Sequence, residues 1–324
     1  DMLGTPDDAY RYARGEEIGL GPFDANRGGQ RRVRLDPPLD FAAVTDHAEW
    51  IGEITVCTEK DKPGYDSVAC QAFRGERETP TSIVTIIAGK QRMFNLIGVG
   101  GRAQDVCGRD ASLCRAGLAS AWAQTRAATE HHYDRSEECS FTSFHGYEYS
   151  NSPGRSKVHR NVIFRNERVP ELPVSSLEQP DPFGLWQQLD SLCHNSPGDC
   201  EAISIPHNPN VSNGRMFVIP WHDEQPEEQR RLAALRARYE PVVEMMQIKG
   251  ESECKPGMWQ VFGEDELCGF EKIRGLGELA PQDCEEVTSS GAIMGIGCQS
   301  RLDFARYALI EGMAEEERIG INPY

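Results

Sequence analysis

Leu39-Asp40-Phe41-Ala42-Ala43-Val44-Thr45-Asp46-His47-Ala48-Glu49 is the stretch on which the fold turns. A short apolar run, Leu39 to Val44, stops at Thr45-Asp46-His47, which reads as a buried strand ending in polar groups. Two later stretches have the same form. Phe141 to Tyr149 alternates aromatic and polar residues, as a strand does, and carries Glu148 near its end. Ala202 to Ile205 is a compact apolar strand followed by Pro206-His207-Asn208-Pro209-Asn210. In an α/β barrel the C-terminal strand ends converge on one face, where ligands gather. Histidine with carboxylate suits zinc, manganese or iron. Each residue also has an ordinary reading: Asp46 as a helix cap, His47 as a satisfied histidine at a strand end, Glu148 as the partner of an arginine, His207 as a loop histidine. Their shared place at strand ends favours the joint reading.

Around these runs the chain alternates. Thr5 to Glu16 reads as a helix, with Thr5 as cap and Pro6 in the first turn. Ala111 to His132 is Ala-rich and contains glycine only at Gly117, so it is expected to be helical. Val158 to Phe164 is expected to pair with Phe141 to Tyr149 through the turn Asn151-Ser152-Pro153-Gly154. Further helices are expected over Pro182 to Cys193 behind an Asp181 cap, Glu224 to Arg238 and Arg301 to Arg318, with a strand over Val242 to Ile248. Ser82 to Ala88 is β-branched and apolar, and suits strand or helix. Alternating strands and helices argue for an α/β class with parallel pairing. Residues 61–110 fit this poorly and read as an insertion carrying some of the cysteines.

The 324 residues suffice for one large α/β barrel or two average domains. Against 34 basic residues stand 51 acidic ones, a net charge of −17, which argues against nucleic acid as a partner. No apolar run is long enough to span a membrane. The 11 cysteines fall as neighbours: Cys57 and Cys70, Cys107 and Cys114, Cys193 and Cys200, Cys254 and Cys268, Cys284 and Cys298, with Cys139 left over. Zinc sites use closer pairs, so local disulfides and a periplasmic or extracellular location are the expectation. Buried free thiols in a cytosolic enzyme are the alternative.

The ordered motifs resemble a family. The Leu39 to Glu49 stretch resembles the Asp-His strand of the polymerase and histidinol phosphatase (PHP) superfamily, and the chain more closely resembles domain-of-unknown-function family 3604, a PHP-like group. Thr5-Pro6-Asp7-Asp8-Ala9-Tyr10-Arg11, Gly146-Tyr147-Glu148, His159-Arg160-Asn161-Val162-Ile163-Phe164-Arg165, Ile205-Pro206-His207-Asn208-Pro209-Asn210, Lys249-Gly250-Glu251-Ser252-Glu253-Cys254 and Ser300-Arg301 also fit it. The resemblance implies one domain over residues 1–324, a distorted PHP-like β/α barrel holding two or three divalent ions (zinc, manganese or iron). It makes His47, Glu148, His159 and His207 metal ligands, with Glu148 bridging and Asp46 beside them. His159 comes from the resemblance alone; by itself it reads as a surface histidine in a hairpin. The family's His-x-His motif is expected just before residue 1, and its Asp-x-His motif just after Ile319-Gly320-Ile321-Asn322-Pro323-Tyr324.

The expected function is a metal-dependent hydrolase, a phosphoesterase using a metal-activated water on a small anionic substrate. Arg160, Arg165 and Lys249 are candidates to hold the anion. Asp46, Glu251, Lys249 and Asn208 are candidates to orient water or substrate. The alternative is a secreted binding or structural protein on a PHP-like scaffold with an incomplete metal site.

Overall fold

A computed structural model describes residues 4–23, 29–76, 97–98, 101–194, 199–257, 265–274, 283–284 and 289–324. The expected Ser82 to Ala88 element lies outside them, as does much of the proposed 61–110 insertion. The chain divides into two compact units. The first comprises residues 1–147, 163–178 and 198–201, and the second residues 148–162, 179–197 and 202–324.

In the first unit, Thr5 caps the Pro6–Ala13 helix in a reciprocal box with Asp8. The apolar side of that helix closes on Phe141, with Tyr10 fully buried. The Ser112–His132 helix lies against the Ile51–Thr58 helix. The two come together at glycines: a Cβ on Gly117 would stand 2.6 Å from the Gly52 carbonyl oxygen. Beside them the Cys57–Cys70 and Cys107–Cys114 disulfides and Val56 and Val106 make a small core.

The second unit contains most of a three-stranded sheet in the order Gly146–Asn151, Val158–Phe164, Ala202–His207. The first two strands form the expected hairpin through Pro153–Arg155. The Arg165 N–H bonds Glu201 O at one end of the second pair, and the Lys157 N–H bonds Val211 O at the other, so these strands run antiparallel. One sheet face packs on the Pro182–Leu189 helix: the Trp186 indole N–H donates to Ser204 Oγ at 2.8 Å, and the Arg160 guanidinium lies 5.6 Å from the Trp186 ring. The opposite face belongs to the residues between, His159 and Asn161 on one strand and Ile205 and His207 on the next. The Pro226–Tyr239 and Ala305–Ile319 helices complete the unit.

Two expectations are corrected. The described residues form sheets of only two or three strands and no closed barrel, so the distorted PHP-like β/α barrel is not the architecture; the class is mixed α/β. A barrel needs every strand bonded on both sides round a ring. The apolar run that suggested it gives a strand of three residues, Phe41–Ala43, paired with Thr142–Phe144 alone. Phe41 and Leu39 are 65% and 47% exposed, so the run is not a buried barrel stave. Likewise Val242 to Ile248 is not a continuous strand. Only Met246–Gln247 pairs, with Gly250–Glu251, and Ile248 at the hairpin tip is 96% exposed.

Candidate metal centre

Glu148 and His159 meet on the outer face of the hairpin in the second unit. Glu148 Oε1 is 2.6 Å from His159 Nδ1, and both side chains are buried. Ser150 Oγ donates to the same carboxylate oxygen at 2.9 Å. His159 Nε2 is 2.9 Å from Ser152 Oγ. The contact follows from strand geometry: Glu148 and Ser150 are two apart on one strand and so share a face.

His207 ends the third strand on the face that carries His159. Its Nδ1 is 2.7 Å from Glu244 Oε2, which also accepts the Asn208 backbone N–H at 3.3 Å. A carboxylate on one ring nitrogen fixes the imidazole and turns the other nitrogen outward, which is how metal-binding histidines are held. Glu148 with His159 and His207 with Glu244 are two histidine–carboxylate pairs, each of donor types that zinc, manganese or iron accepts.

Several of the other expected residues are engaged in contacts of their own. Asp46 and His47 belong to the first unit and are exposed there. The His47 ring is 5.7 Å from Trp50. Asp46 lines a small cavity with Ala48, Trp122, Tyr147 and Pro173. Burial raises the Tyr10 hydroxyl pKa, and the Asp46 charge adds to the rise. Arg160 is 1% exposed and its guanidinium is bonded to Glu240 at 2.6 Å. Arg165 pairs with Glu201 at the surface. Glu251 is bonded to Lys272 and accepts the Cys254 N–H at 2.8 Å. Lys249 Nζ is 3.3 Å from Gln247 Oε1.

Sequence reasoning missed Glu244 and Asn161. Nothing around Glu244 marks it, because its partner is 37 residues away. Asn161 carried a signal: a residue two places from His159 on a strand shares its face. In the first unit Asp7, His131 and His132 also lie close, with Asp7 Oδ1 2.8 Å from His132 Nε2. The sulfurs of Cys107, Cys114, Cys254 and Cys268, each close to a carboxylate, are tied in disulfides and are not thiolate ligands.

The disulfides Cys57–Cys70, Cys107–Cys114, Cys254–Cys268 and Cys284–Cys298 are all neighbour pairs, as expected. Cys193 and Cys200 are disulfide-bonded too, and Cys139 is free and exposed. Among the described residues, no helix is long and apolar enough to cross a membrane. No curated protein and no solved structure matches the chain. The family profile described as "Protein of unknown function (DUF3604)" matches residues 1–324, and the chain belongs to that family.

Proposed function

We propose that the protein is a metal-dependent hydrolase acting on phosphate esters in an oxidising, extracytoplasmic compartment. The observation that carries the reading is the outer face of the sheet in the second unit, where two histidines are each held by a carboxylate: His159 by Glu148 and His207 by Glu244. Glu244 holds His207 at Nδ1, as a carboxylate holds a metal-binding histidine by one ring nitrogen, and His159 is held at both nitrogens, by Glu148 and Ser152. Glu148, His159 and His207 would hold the cation. A divalent cation bound there supplies an acidified water and polarises the ester. Glu244 positions His207, and Ser150 and Ser152 fix Glu148 and His159. Lys249, in the turn between Met246–Gln247 and Gly250–Glu251, is the cation assigned to the substrate's charge. Arg160 is committed to Glu240 and is left out of the substrate site. The disulfides support the compartment.

Glu148→Gln tests the reading, because it keeps the shape and removes the charge. The expected result is a folded protein that loses most of its bound metal and its turnover across a panel of phosphate monoesters. Metal content by mass spectrometry and circular dichroism read the two effects apart. Full metal content in the variant would remove Glu148 from the ligand set. A metal-loaded wild type inactive on every ester would remove the reaction.

A further inference from the structure

We propose that the carboxamide of Asn208 is a ligand-binding group that receives a hydroxyl-bearing part of the substrate, so that the site takes esters of a sugar or other polyol. For the reaction this rests on the hydrolase reading above; for the binding it stands alone.

Asn208 is 0% exposed, and among the described residues neither its Nδ2 nor its Oδ1 has a hydrogen-bond partner. Its backbone is left-handed, with φ +59°. It follows His207 directly, and its N–H bonds the carboxylate that holds that histidine. The rest of the loop does not need the carboxamide. Asn210 Nδ2 donates to Lys249 O and Glu251 O; Ser212 Oγ donates to Asp303; Asn213 donates to Cys298 O and accepts from Ser156 and Ala292. Asparagine tolerates the left-handed region, but glycine meets it with less strain and buries no amide. A carboxamide sealed from water with both ends unbonded opposes folding, so a structural role does not account for it.

The chemistry of the unbonded atoms points to the ligand class. Asn161 Oδ1, on the face that carries His159, is buried without a hydrogen-bond partner among the described residues, and so is Asn210 Oδ1. With Asn208, the described residues of the second unit therefore offer three unbonded amide oxygens, against two amide N–H2 groups, those of Asn208 and Gln247. A phosphate dianion is an acceptor and satisfies none of the oxygens. A hydroxyl donates and accepts, and matches both kinds. The phosphate is left to the cation and Lys249, and the alcohol part of the ester to the asparagines.

Asn208→Gly keeps the left-handed backbone and removes only the carboxamide. The experiment uses the full chain in two arms. In the first, saturation-transfer NMR reads glucose and glycerol binding to metal-free wild type and variant, with melting temperatures beside it. The expected result is a signal in the wild type, at least a fivefold loss in the variant, and a melting point unchanged or raised. No signal in the wild type, or an equal signal in the variant, would overturn the proposal. A melting point lowered by several degrees would also overturn it, because Asn208 would then be structural. In the second arm, metal-loaded protein is compared on glucose 6-phosphate and phenyl phosphate. The wild type should prefer the sugar ester at least tenfold in kcat/KM, and Asn208→Gly should erase the preference through KM. Equal turnover of both esters overturns the proposal and leaves the hydrolase. Glucose binding through Asn208 with no ester turned over removes the hydrolase reading and leaves the binding site.

Discussion

Asp303 shows how a single residue holds the candidate site's loop in place. It is 0% exposed and accepts three hydrogen bonds, from Ser212 Oγ and the Gly214 N–H on one oxygen and the Ser300 N–H on the other. Burial pushes its pKa up to about 6, against the pull of those donors. The unfolded carboxyl ionises at 3.8. Between these values the folded chain holds the proton more tightly than the unfolded one, so this residue's contribution falls as pH rises from about 4 to about 6. The full swing is about 3 kcal/mol. Asp303→Asn cannot titrate, so the stability of the wild type relative to the variant should drop by about that amount from pH 4 to pH 7. Paired urea melts across the range measure it. A constant difference would mean that the donors, not burial, set the ionisation. Nothing local in the sequence hints at this role, because the contacts run 91 and 89 residues back along the chain.

At the scale of elements, local chemistry was legible and partners were not. Thr5 and Asp181 cap helices as their positions announce, and Val158–Phe164 is a strand with the bounds its pattern suggests. Glu148 was legible as a residue with metal-binding capacity. That it meets His159 depends on the hairpin, and that Glu244 meets His207 depends on a segment whose apolar pattern suggested a strand it does not form. The barrel expectation failed for a related reason: an apolar run gives a strand's existence but not how many neighbours it finds.

Two elements can be tested directly. Gly117 is the one glycine of the Ser112–His132 helix. Alanine there gains about 1 kcal/mol in helix propensity, but its Cβ would press on the Gly52 carbonyl oxygen at 2.6 Å, and both partners are backbone. Overpacking of that kind costs about 1–3 kcal/mol, so Gly117→Ala should be net destabilising by chemical denaturation; a more stable variant would mean the helices move apart freely. The Pro226–Tyr239 helix is tied to the sheet through Glu240, which bonds Arg160 at 2.6 Å and Arg236 at 3.1 Å. Both arginines are 1% exposed. Glu240→Ala leaves two buried guanidinium charges without their counter-ion and should cost about 3–5 kcal/mol. A loss under about 1 kcal/mol, the scale of an exposed pair, would show that the backbone acceptors at Met216 and Val218 suffice for them.

For the whole molecule, the cysteines set the conditions under which the fold exists. The four pairs whose geometry is described close segments of 13, 7, 14 and 14 residues, with Cα–Cα distances of 4.7–5.3 Å. These distances lie inside the range that an unforced disulfide occupies. Short loops gain less from closure than long ones, about 2–3 kcal/mol each. Two of them together already approach the roughly 5–15 kcal/mol that separates folded from unfolded in most domains. They also replace apolar packing: buried half-cystines make up much of the small core beside Val56 and Val106, and Cys254 and Cys268 pack with Tyr307. Reduction therefore removes the constraint and leaves polar thiols where the core was tight. With ten cysteines bonded and Cys139 exposed, the native protein should take up one equivalent of iodoacetamide, at Cys139, and still one after unfolding without reductant. After reduction it should take up all eleven, and the melting temperature should fall by tens of degrees, on the scale of about 2–4 °C lost per kcal/mol. Peptide mapping locates the label and calorimetry reads the fall. Several thiols reacting in the unreduced protein, or a melting point indifferent to reductant, would place the chain in a reducing compartment and return its cysteines to the role of buried thiols.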